Sequence, residues 1–362
     1  MKIYNECELN DFKINNYILN INEILEHKVF LNSSPLSAQI LLSNKCNLKC
    51  RMCNFKEYHD NSFMNKKEIE KIIENNPQLI TVEWSGGGEP LLHPDIEYFI
   101  DLAELYKIKQ IIITNALLFT EKLIKKISKY NVNLVLSIDG GSKKVYENIR
   151  LQGKYDNLIK NIKSINNYRS KFNSKSFIKI YCVVIRENYL HLTEMIDFCY
   201  KYNIKEVLFL SDSVENKNNI ILYGTKEEKK ELSNILKRTI AYSKEKKVIC
   251  SLDEKLKDIL YLNKNKKNNF ENNDKSFCLT PWQQIRILPK GEVFPTYFCD
   301  KSIGNIFNNS LSEIWNSDTM IKYRTEILKN KNNNICSQYC SSKNFIIKSY
   351  TAMERFLHTL MI

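Results

Sequence analysis

Six apolar segments with the composition of buried strands alternate with segments of helical periodicity between residues 38 and 210. The strand-like segments are 38–43, 79–84, 110–114, 133–137, 177–184 and 206–210. The helical segments are 66–75, 94–106, 121–130, 143–149 followed by 156–168, and 190–202. Apolar strands that alternate with amphipathic helices predict a parallel sheet buried on both faces. Six such units are fewer than the eight of a closed barrel, so we expect an α/β fold with an incomplete set of barrel units.

Length and composition restrict the class of protein. A chain of 362 residues with 43% hydrophobic and 26% charged residues is long and apolar enough for one large domain and a smaller one. No apolar run approaches the roughly 20 residues that span a bilayer, and residues 1–6 lack the apolar region of a secretory signal. We therefore expect a cytoplasmic protein without membrane contact. The net charge of +13 is spread over Lys- and Asn-rich segments without an aromatic-basic motif, so no nucleic-acid partner is expected.

Three cysteines follow the first predicted strand within eight residues. Cys46, Cys50 and Cys53 have the spacing C-x3-C-x2-C. Iron–sulfur clusters are held by thiolates at such short spacings, and three ligands would leave one iron of a cubane open. A zinc knuckle or unrelated thiols are the alternatives at this point. The chain has eleven cysteines, and a long chain without a secretion signal favours metal ligands over disulfides.

Polar and glycine-rich motifs follow the next three strands. Residues 85–90 read Ser-Gly-Gly-Gly-Glu-Pro, in which glycines allow close backbone approach and positive φ, although an ordinary glycine turn is the alternative. Residues 114–116 read Thr-Asn-Ala, and Ser137 ends the fourth strand. Asp139 is interpreted as a cap of the following helix, and Arg150 comes after that helix. Each motif falls at the carboxyl end of a strand, where barrels of this kind carry their chemistry.

Together these motifs resemble the signature of the radical S-adenosylmethionine (SAM) superfamily, over residues 36–212. Met52 stands before the last cysteine, where the family usually has an aromatic or apolar residue, and Ala116 replaces a glycine of the family. The resemblance implies a partial (β/α)6, TIM-like barrel with a [4Fe-4S] cluster on Cys46, Cys50 and Cys53. It implies that the cofactor-binding residues for SAM are Gly86, Gly87, Gly88, Glu89, Asn115, Ser137 and Arg150. A guanidinium such as that of Arg150 suits the SAM carboxylate.

The resemblance also implies the chemistry. One electron from a flavodoxin- or ferredoxin-type donor would cleave SAM reductively, and the resulting 5′-deoxyadenosyl radical would abstract a hydrogen atom from substrate. The cofactor carries this chemistry, and the protein orients it.

A second set of cysteines lies near the C-terminus: Cys278, Cys299, Cys336 and Cys340. A hairpin that turns at Lys290 and Gly291 is predicted between the first two of them. Four thiolates are enough for one cubane, and zinc is the alternative.

This region is similar to the SPASM extension of radical SAM enzymes, or its shorter Twitch form. The similarity rests on Cys-x3-Trp at 278–282, Gly-x-Val-x-Pro at 291–295, Leu-x-x-Ile-Trp-Asn at 311–316 and the final C-x3-C. It implies one auxiliary [4Fe-4S] cluster in a small α+β iron–sulfur domain. Thr296 stands where relatives often have a cysteine, so Cys299 departs from the pattern.

The predicted organisation has five parts. An N-terminal segment at 1–35 packs on the core, and the partial barrel occupies 36–225. A helix with a flexible linker follows at 226–274, then the auxiliary cluster domain at 275–345 and a C-terminal helix at 346–362.

The sequence favours one substrate class and leaves two alternatives open. The short N-terminal segment and the small cluster complement favour a small polar metabolite, such as a sugar, amino sugar or aminocyclitol, that is dehydrogenated or epimerised. A maturase that modifies a ribosomally made peptide or protein is the first alternative, because fold and motifs do not fix the substrate. A non-catalytic iron–sulfur redox sensor or zinc-binding protein is the second.

Overall fold

The structure is a computed structural model, and it describes residues 10–53, 60–212, 218–261, 278–296, 299–329 and 335–336. Cys340, the predicted C-terminal helix at 346–362 and residues 262–277 of the linker region lie outside these ranges.

One sheet of ten strands runs through the described part of the chain, in the order β10-β9-β8-β1-β2-β3-β4-β5-β6-β7. Its strands are β1 Ser37–Leu41, β2 Thr81–Ser85, β3 Lys109–Thr114, β4 Asn133–Ser137, β5 Ile178–Val184, β6 Glu206–Ser211, β7 Ile249–Leu252, β8 Gln284–Ile287, β9 Glu292–Phe294 and β10 Gly304–Asn305. Strands β1 to β7 pair in parallel, each with the next along the chain. The partial barrel is thus confirmed, and the six predicted strands are present with ends shifted by at most two residues.

Helices follow most of the parallel strands. They are α1 Asp11–Leu25, α2 Lys66–Glu74, α3 Ile96–Leu105, α4 Glu121–Lys129, α5 Lys143–Ile149, α6 Tyr155–Lys171, α7 Leu192–Lys201, α8 Ile220–Tyr223, α9 Lys226–Glu245, α10 Glu254–Leu260, α11 Thr280–Gln283, α12 Leu311–Trp315 and α13 Asp318–Leu328. Helix α4 shows why such segments are helical. Thr120 Oγ1 accepts a hydrogen bond from the backbone N–H of Leu123 and caps the helix, and Leu123, Ile124 and Ile127 form its buried face.

Alternate side chains of the parallel strands point to opposite faces of the sheet. On β1 and β2, Ile40 and Trp84 belong to the main core cluster that the helices cover. Gln39 and Glu83 point the other way and are half-buried. The face turned away from the helices therefore carries polar side chains, which makes it a candidate surface for substrate.

The structure differs from the predicted helix and flexible linker at 226–274. Helix α9 is followed by a seventh parallel strand, β7, which pairs with β6, and then by helix α10. The strand has only four residues, and Ile249 is 59% exposed at the edge of the sheet. A strand this short, without a continuous apolar pattern, gives too weak a periodic signal to be recognised from sequence.

The C-terminal module joins the same sheet. Strand β8 pairs in parallel with β1, and β9 pairs antiparallel with β8. The predicted hairpin is present, and Gly291 at its turn has φ of +85°. A Cβ there would lie 2.6 Å from the side-chain oxygen of Asn305, so glycine is required for conformation and for space.

Residues after α1 pack against the C-terminal module. Trp282 Nε1 donates to the carbonyl of Lys28 at 2.7 Å, and Trp315 Nε1 donates to the carbonyl of Ser33 at 2.8 Å. The buried Arg324 donates to the carbonyl of Val29 at 2.9 Å. Three large side chains of the module thus satisfy backbone carbonyls of one N-terminal segment, which fixes that segment in place.

Among the described residues, no helix has both the length and the apolar character required to cross a bilayer.

Candidate active site

The predicted motifs meet at one edge of the sheet. The cysteine loop follows β1, the glycine-rich stretch follows β2, the Thr-Asn-Ala turn follows β3, and Asp139 follows β4. All four lie at the carboxyl ends of parallel strands, where barrels of this kind place their functional residues.

The glycine-rich stretch is bonded to the residues that lead into the cysteine loop. The backbone N–H of Gly88 donates to the carbonyl of Ser43 at 2.9 Å, and that of Glu89 donates to the carbonyl of Lys45 at 2.8 Å. A Cβ on Gly88 would lie 2.0 Å from the Lys45 carbonyl oxygen, and one on Gly86 would lie 2.7 Å from that of Ser43. Neither glycine has a positive φ, so the conformational freedom that glycine allows is not used at these two positions. Their small size is what the close contact with the cysteine loop requires.

Gly88→Ala is therefore expected to lower the free energy of unfolding by about 1–3 kcal/mol, the usual cost of overpacking, and to reduce iron bound by the cysteine loop. Urea denaturation of the apoprotein and iron analysis measure the two effects. The matched control is Gly224→Ala, where a Cβ would lie 2.2 Å from the carbonyl oxygen of Ile220, away from the cysteines. That variant should lose stability and keep its iron. Full iron and parental stability in Gly88→Ala would contradict the packing argument.

Glu89 holds the ends of β2 and β3 together. Its side chain is buried and accepts hydrogen bonds from Thr114 Oγ1 at 2.5 Å, from the N–H of Asn115 at 2.9 Å and from the N–H of Leu91 at 3.2 Å. Burial raises the pKa of this carboxyl, and the hydrogen bonds from Asn115 and Thr114 oppose the shift. A carboxylate has about four acceptor sites, so one remains for the amino group that the resemblance assigns to it.

The turn after β3 reaches the cysteine loop. Asn115 Nδ2 donates to Asn47 Oδ1 at 2.8 Å, between Cys46 and Cys50. Ala116 has φ of +64° and is fully buried, so a non-glycine residue adopts the left-handed conformation at this position.

Arg150 lies behind the cysteine loop in a buried ion pair. Its Nη2 is 2.6 Å from Asp139 Oδ2, and its Nη1 is 3.9 Å from Cys50 Sγ. Both side chains are almost completely buried. Burial is the largest single influence and lowers the pKa of Arg150, but Asp139, Cys50 and Tyr146 together raise it, and the net pKa lies above the ordinary value. The guanidinium therefore stays charged next to Cys50, a predicted cluster ligand.

The interpretation of Asp139 as a helix cap is wrong. Helix α5 has Ser142 at its N-cap position, and Asp139 Oδ1 instead accepts from the backbone N–H of Val183 at 2.8 Å. Asn188 Nδ2 donates to the carbonyls of Asp139 and Val183, which fixes this segment from a third side. Asp139 thus positions Arg150, a role that its place after an apolar strand does not reveal.

The end of α5 also binds the cysteine loop through its backbone. The N–H of Lys49 donates to the carbonyl of Leu151 at 3.2 Å, and that of Arg51 donates to the carbonyl of Ile149 at 3.0 Å. A small apolar cluster of Met52, Val145, Ile149 and Ile185 packs beside Cys50. The loop is therefore held on one side by the glycine-rich stretch and on the other by α5.

The loop thiols lie in a partly buried environment. Burial raises the pKa of Cys46 to about 11 and also raises that of Cys50, where Arg150 opposes the shift. Within the described residues, no three His, Cys, Asp or Glu side chains converge as a ready site for a single metal ion. Ser85 Oγ is buried at the end of β2 and has no protein hydrogen-bond partner among the described residues, which leaves a polar atom for a ligand beside Gly86. Ser137 is half-buried at the end of β4. These residues fit the implied cluster and SAM.

Two of the C-terminal cysteines flank a tyrosine hydroxyl. Cys299 and Cys336 face each other in an isolated antiparallel bridge, and Tyr323 Oη lies 3.3 Å from Cys299 Sγ and 3.2 Å from Cys336 Sγ. Cys278 is buried just before α11, and its thiol lies 3.3 Å from Thr280 Oγ1. Cys299, which departs from the family spacing, is thus placed beside another predicted ligand.

Sequence reasoning missed a polar group on the sheet face turned away from the helices. Gln39 lies in register between Glu83 on β2 and Arg286 on β8. Its amide donates to Glu83 Oε1. Burial raises the pKa of Glu83, while Gln39 and Arg286 oppose the shift. A glutamate between two apolar residues of a predicted strand, Val82 and Trp84, is the signal that could have identified this group.

Comparison with protein families gives two matches. A sequence model of the radical SAM superfamily matches residues 40–199, and a model of SPASM, an iron–sulfur cluster-binding domain, matches residues 278–341. The radical SAM cyclopropyl synthase TigE of Paramaledivibacter caminithermalis is 26% identical, over 83% of this chain and 67% of TigE. The antilisterial bacteriocin subtilosin biosynthesis protein AlbA of Bacillus subtilis is 24% identical, over 80% of this chain and 61% of AlbA. The chain therefore spans about two thirds of the length of these relatives.

Solved structures show the same fold. SuiB of Streptococcus suis has a TM-score of 0.65 at 21% identity, over 86% of this chain and 72% of SuiB. The structure of anSMEcpe has a TM-score of 0.58 at 18% identity, over 90% of this chain and 98% of that chain.

Proposed function

The chain belongs to the radical SAM superfamily and carries a C-terminal SPASM domain, and from this premise we propose that it is a maturase that modifies a ribosomally made peptide or protein. The observation that carries the radical chemistry is the cysteine loop at the carboxyl ends of the strands, held between the glycine-rich stretch and Arg150. The preference for a peptide rests on the relatives.

Radical SAM and SPASM domains bring a SAM-binding [4Fe-4S] cluster and auxiliary iron–sulfur binding, so the protein is a radical SAM enzyme. When bound, these groups supply one-electron cleavage of SAM and hydrogen abstraction from substrate. Cys46, Cys50 and Cys53 would hold the first cluster. Cys278, Cys299, Cys336 and Cys340 would hold one auxiliary cluster.

The protein's own residues would bind and orient SAM. Glu89 and the carbonyls of the glycine-rich stretch would receive its amino group, and Ser137 and Arg150 its carboxylate. Asp139 occupies only part of the hydrogen-bonding capacity of Arg150, because a guanidinium has five N–H donors and one carboxylate cannot use them all. The apolar cluster around Met52 excludes water from the side of Cys50.

Peptide modification is supported by what similar proteins act on. AlbA serves the biosynthesis of a bacteriocin, SuiB has been crystallised with its precursor peptide SuiA, and anSMEcpe with the peptide Cp18Cys. These proteins favour the alternative of the sequence analysis over the small polar metabolite. The short N-terminal segment, which motivated the metabolite, is a weak argument in a chain that spans about two thirds of its relatives.

The sheet face turned away from the helices carries charges that suit an extended peptide substrate. The face turned away from the helices carries Glu83, Arg286, Lys179 and Glu206, of which Lys179 and Glu206 are paired at 2.6 Å. Charges of both signs at the strand face can bind backbone and side-chain groups of a peptide. Among the described strands, β7 and β10 are the two edge strands and do not pair with each other. The sheet is therefore open between them, and a substrate could reach this face there.

Hydrogen transfer tests the substrate class. Uniformly deuterated peptides, translated from the short reading frames beside the gene, are incubated with SAM, dithionite and the reconstituted enzyme. Deuterium is expected in 5′-deoxyadenosine with one of these peptides, and none with a matched pool of deuterated amino sugars and aminocyclitols. Deuterium from the small-molecule pool alone would return the substrate to the metabolite class.

The same assay addresses the remaining alternatives. A redox sensor or zinc protein would form no 5′-deoxyadenosine with any substrate, and a zinc protein would also lack broad visible absorbance. Replacing dithionite by reduced flavodoxin or ferredoxin, the electron donors that we propose, should preserve product formation.

A further inference from the structure

The hydroxyl of Tyr323 lies between two predicted ligands of the auxiliary cluster. It is 3.3 Å from Cys299 Sγ and 3.2 Å from Cys336 Sγ, within the contact range of sulfur hydrogen bonds. The backbones of the two cysteines are joined in one antiparallel bridge. One hydroxyl oxygen therefore lies within hydrogen-bond distance of two sulfur atoms that come from different parts of the chain.

The position of this hydroxyl is fixed by its surroundings. Tyr323 lies on α13 and is 1% exposed, so the ring is enclosed. The next residue, Arg324, donates to the carbonyl of Pro281 at 2.9 Å and to that of Val29 at 2.9 Å, and its guanidinium stacks on Trp315 at 4.5 Å. These contacts anchor α13 to the segment that follows Cys278 and to the N-terminal segment.

A thiolate that ligates iron can only accept hydrogen bonds, whereas a phenol keeps its proton at neutral pH and can donate one. Hydrogen bonds to the sulfurs of an iron–sulfur cluster change its reduction potential, because they stabilise the more negative, reduced form. We propose that Tyr323 shares its single hydroxyl proton between the sulfurs of Cys299 and Cys336 in a three-centre hydrogen bond and thereby raises the reduction potential of the auxiliary cluster. Tyr323 is a positioning and tuning residue in this proposal, without contact to substrate.

The proposal rests on one part of the proposed function, the auxiliary cluster on the C-terminal cysteines, and is independent of the substrate class. It requires an iron–sulfur cluster on the C-terminal cysteines, and it holds for a peptide, a metabolite or any other substrate. Its test therefore uses potentials and leaves activity aside.

The test is an EPR-monitored redox titration of the anaerobically reconstituted full chain, as parent and as Tyr323→Phe. The same pair in a Cys46/Cys50/Cys53→Ala background assigns the auxiliary signal, because only the C-terminal cysteines remain there. Tyr323→Phe is expected to move the auxiliary midpoint potential to more negative values and to leave that of the loop cluster unchanged. The matched control is Tyr189→Phe, which removes a hydroxyl bonded to Glu231 at 3.0 Å, away from the C-terminal cysteines. It should move neither potential.

A second variant keeps the test decisive if Tyr323→Phe loses its cluster. Site-specific 3,5-difluorotyrosine at position 323 keeps the shape and strengthens the donor, so the midpoint potential is expected to rise, read at a pH where the fluorinated phenol remains protonated. An unchanged potential in both variants would overturn the proposal. So would an absence of iron in the Cys46/Cys50/Cys53→Ala background, because the C-terminal cysteines would then hold zinc or no metal.

Discussion

Cys50→Ala is expected to reduce 5′-deoxyadenosine formation by about 1,000-fold or more, because the variant removes a ligand of the group that carries the chemistry. The neighbouring contacts offer no second thiolate. Arg150 approaches the sulfur at 3.9 Å as a cation, and the apolar cluster beside it adds only the uncharged thioether of Met52. Liquid chromatography of reactions with SAM and dithionite measures the loss.

Cys250→Ala is the matched control, because Cys250 is a half-buried thiol on β7 that belongs to neither cysteine set. It should form 5′-deoxyadenosine at nearly the parental rate. Iron analysis adds a second reading: the parent should hold about eight irons and the Cys46/Cys50/Cys53→Ala variant about four. Parental product formation by Cys50→Ala would remove the cysteine loop from the mechanism.

Asp139→Ala is expected to lower the free energy of unfolding by about 3–5 kcal/mol, because it leaves the buried guanidinium of Arg150 without its counter-ion. The pair is 2.6 Å apart, and both side chains are buried behind the cysteine loop. Chemical denaturation of the apoprotein measures the loss. The surface control is Asp156→Ala, whose carboxylate is 76% exposed and pairs with Lys143, and which should change stability by about 0.5 kcal/mol or less.

A double variant separates stability from SAM binding. Asp139→Leu with Arg150→Met replaces the ion pair by apolar side chains of similar length, which should recover most of the lost stability. SAM affinity, measured by equilibrium dialysis on the reconstituted protein, should remain low if Arg150 holds the carboxylate. Parental affinity in the double variant would show that the ion pair supports the loop and does not bind SAM.

The barrel and the cysteine loop could be predicted from sequence because their signals are local. Buried parallel strands such as β4 read as continuous apolar runs, and three cysteines within eight residues can be recognised from their spacing alone. The glycine-rich stretch can be recognised as a motif from sequence, but its packing partner cannot. Gly88 must be small because the backbone of Lys45, which is distant in sequence, lies against it in the fold.

What sequence could not show depends on pairing between distant residues. Asp139 meets Arg150 only because the turn after β4 and the end of α5 come together around Val183. Tyr323 lies on a helix whose pattern predicts burial but not its two sulfur neighbours. Strand β7 was missed because four residues at a sheet edge carry little periodicity.

The pairing of β8 with β1 also limits how the protein can be divided. Strand β1 leads directly into the cysteine loop, and β8 covers the backbone edge that β1 does not share with β2. A chain cut before Cys278 would leave that edge unpaired, and unpaired edges invite association with other strands. The C-terminal module is therefore part of the barrel sheet itself. The two cysteine regions are joined by strand pairing within one sheet and not by a flexible connection.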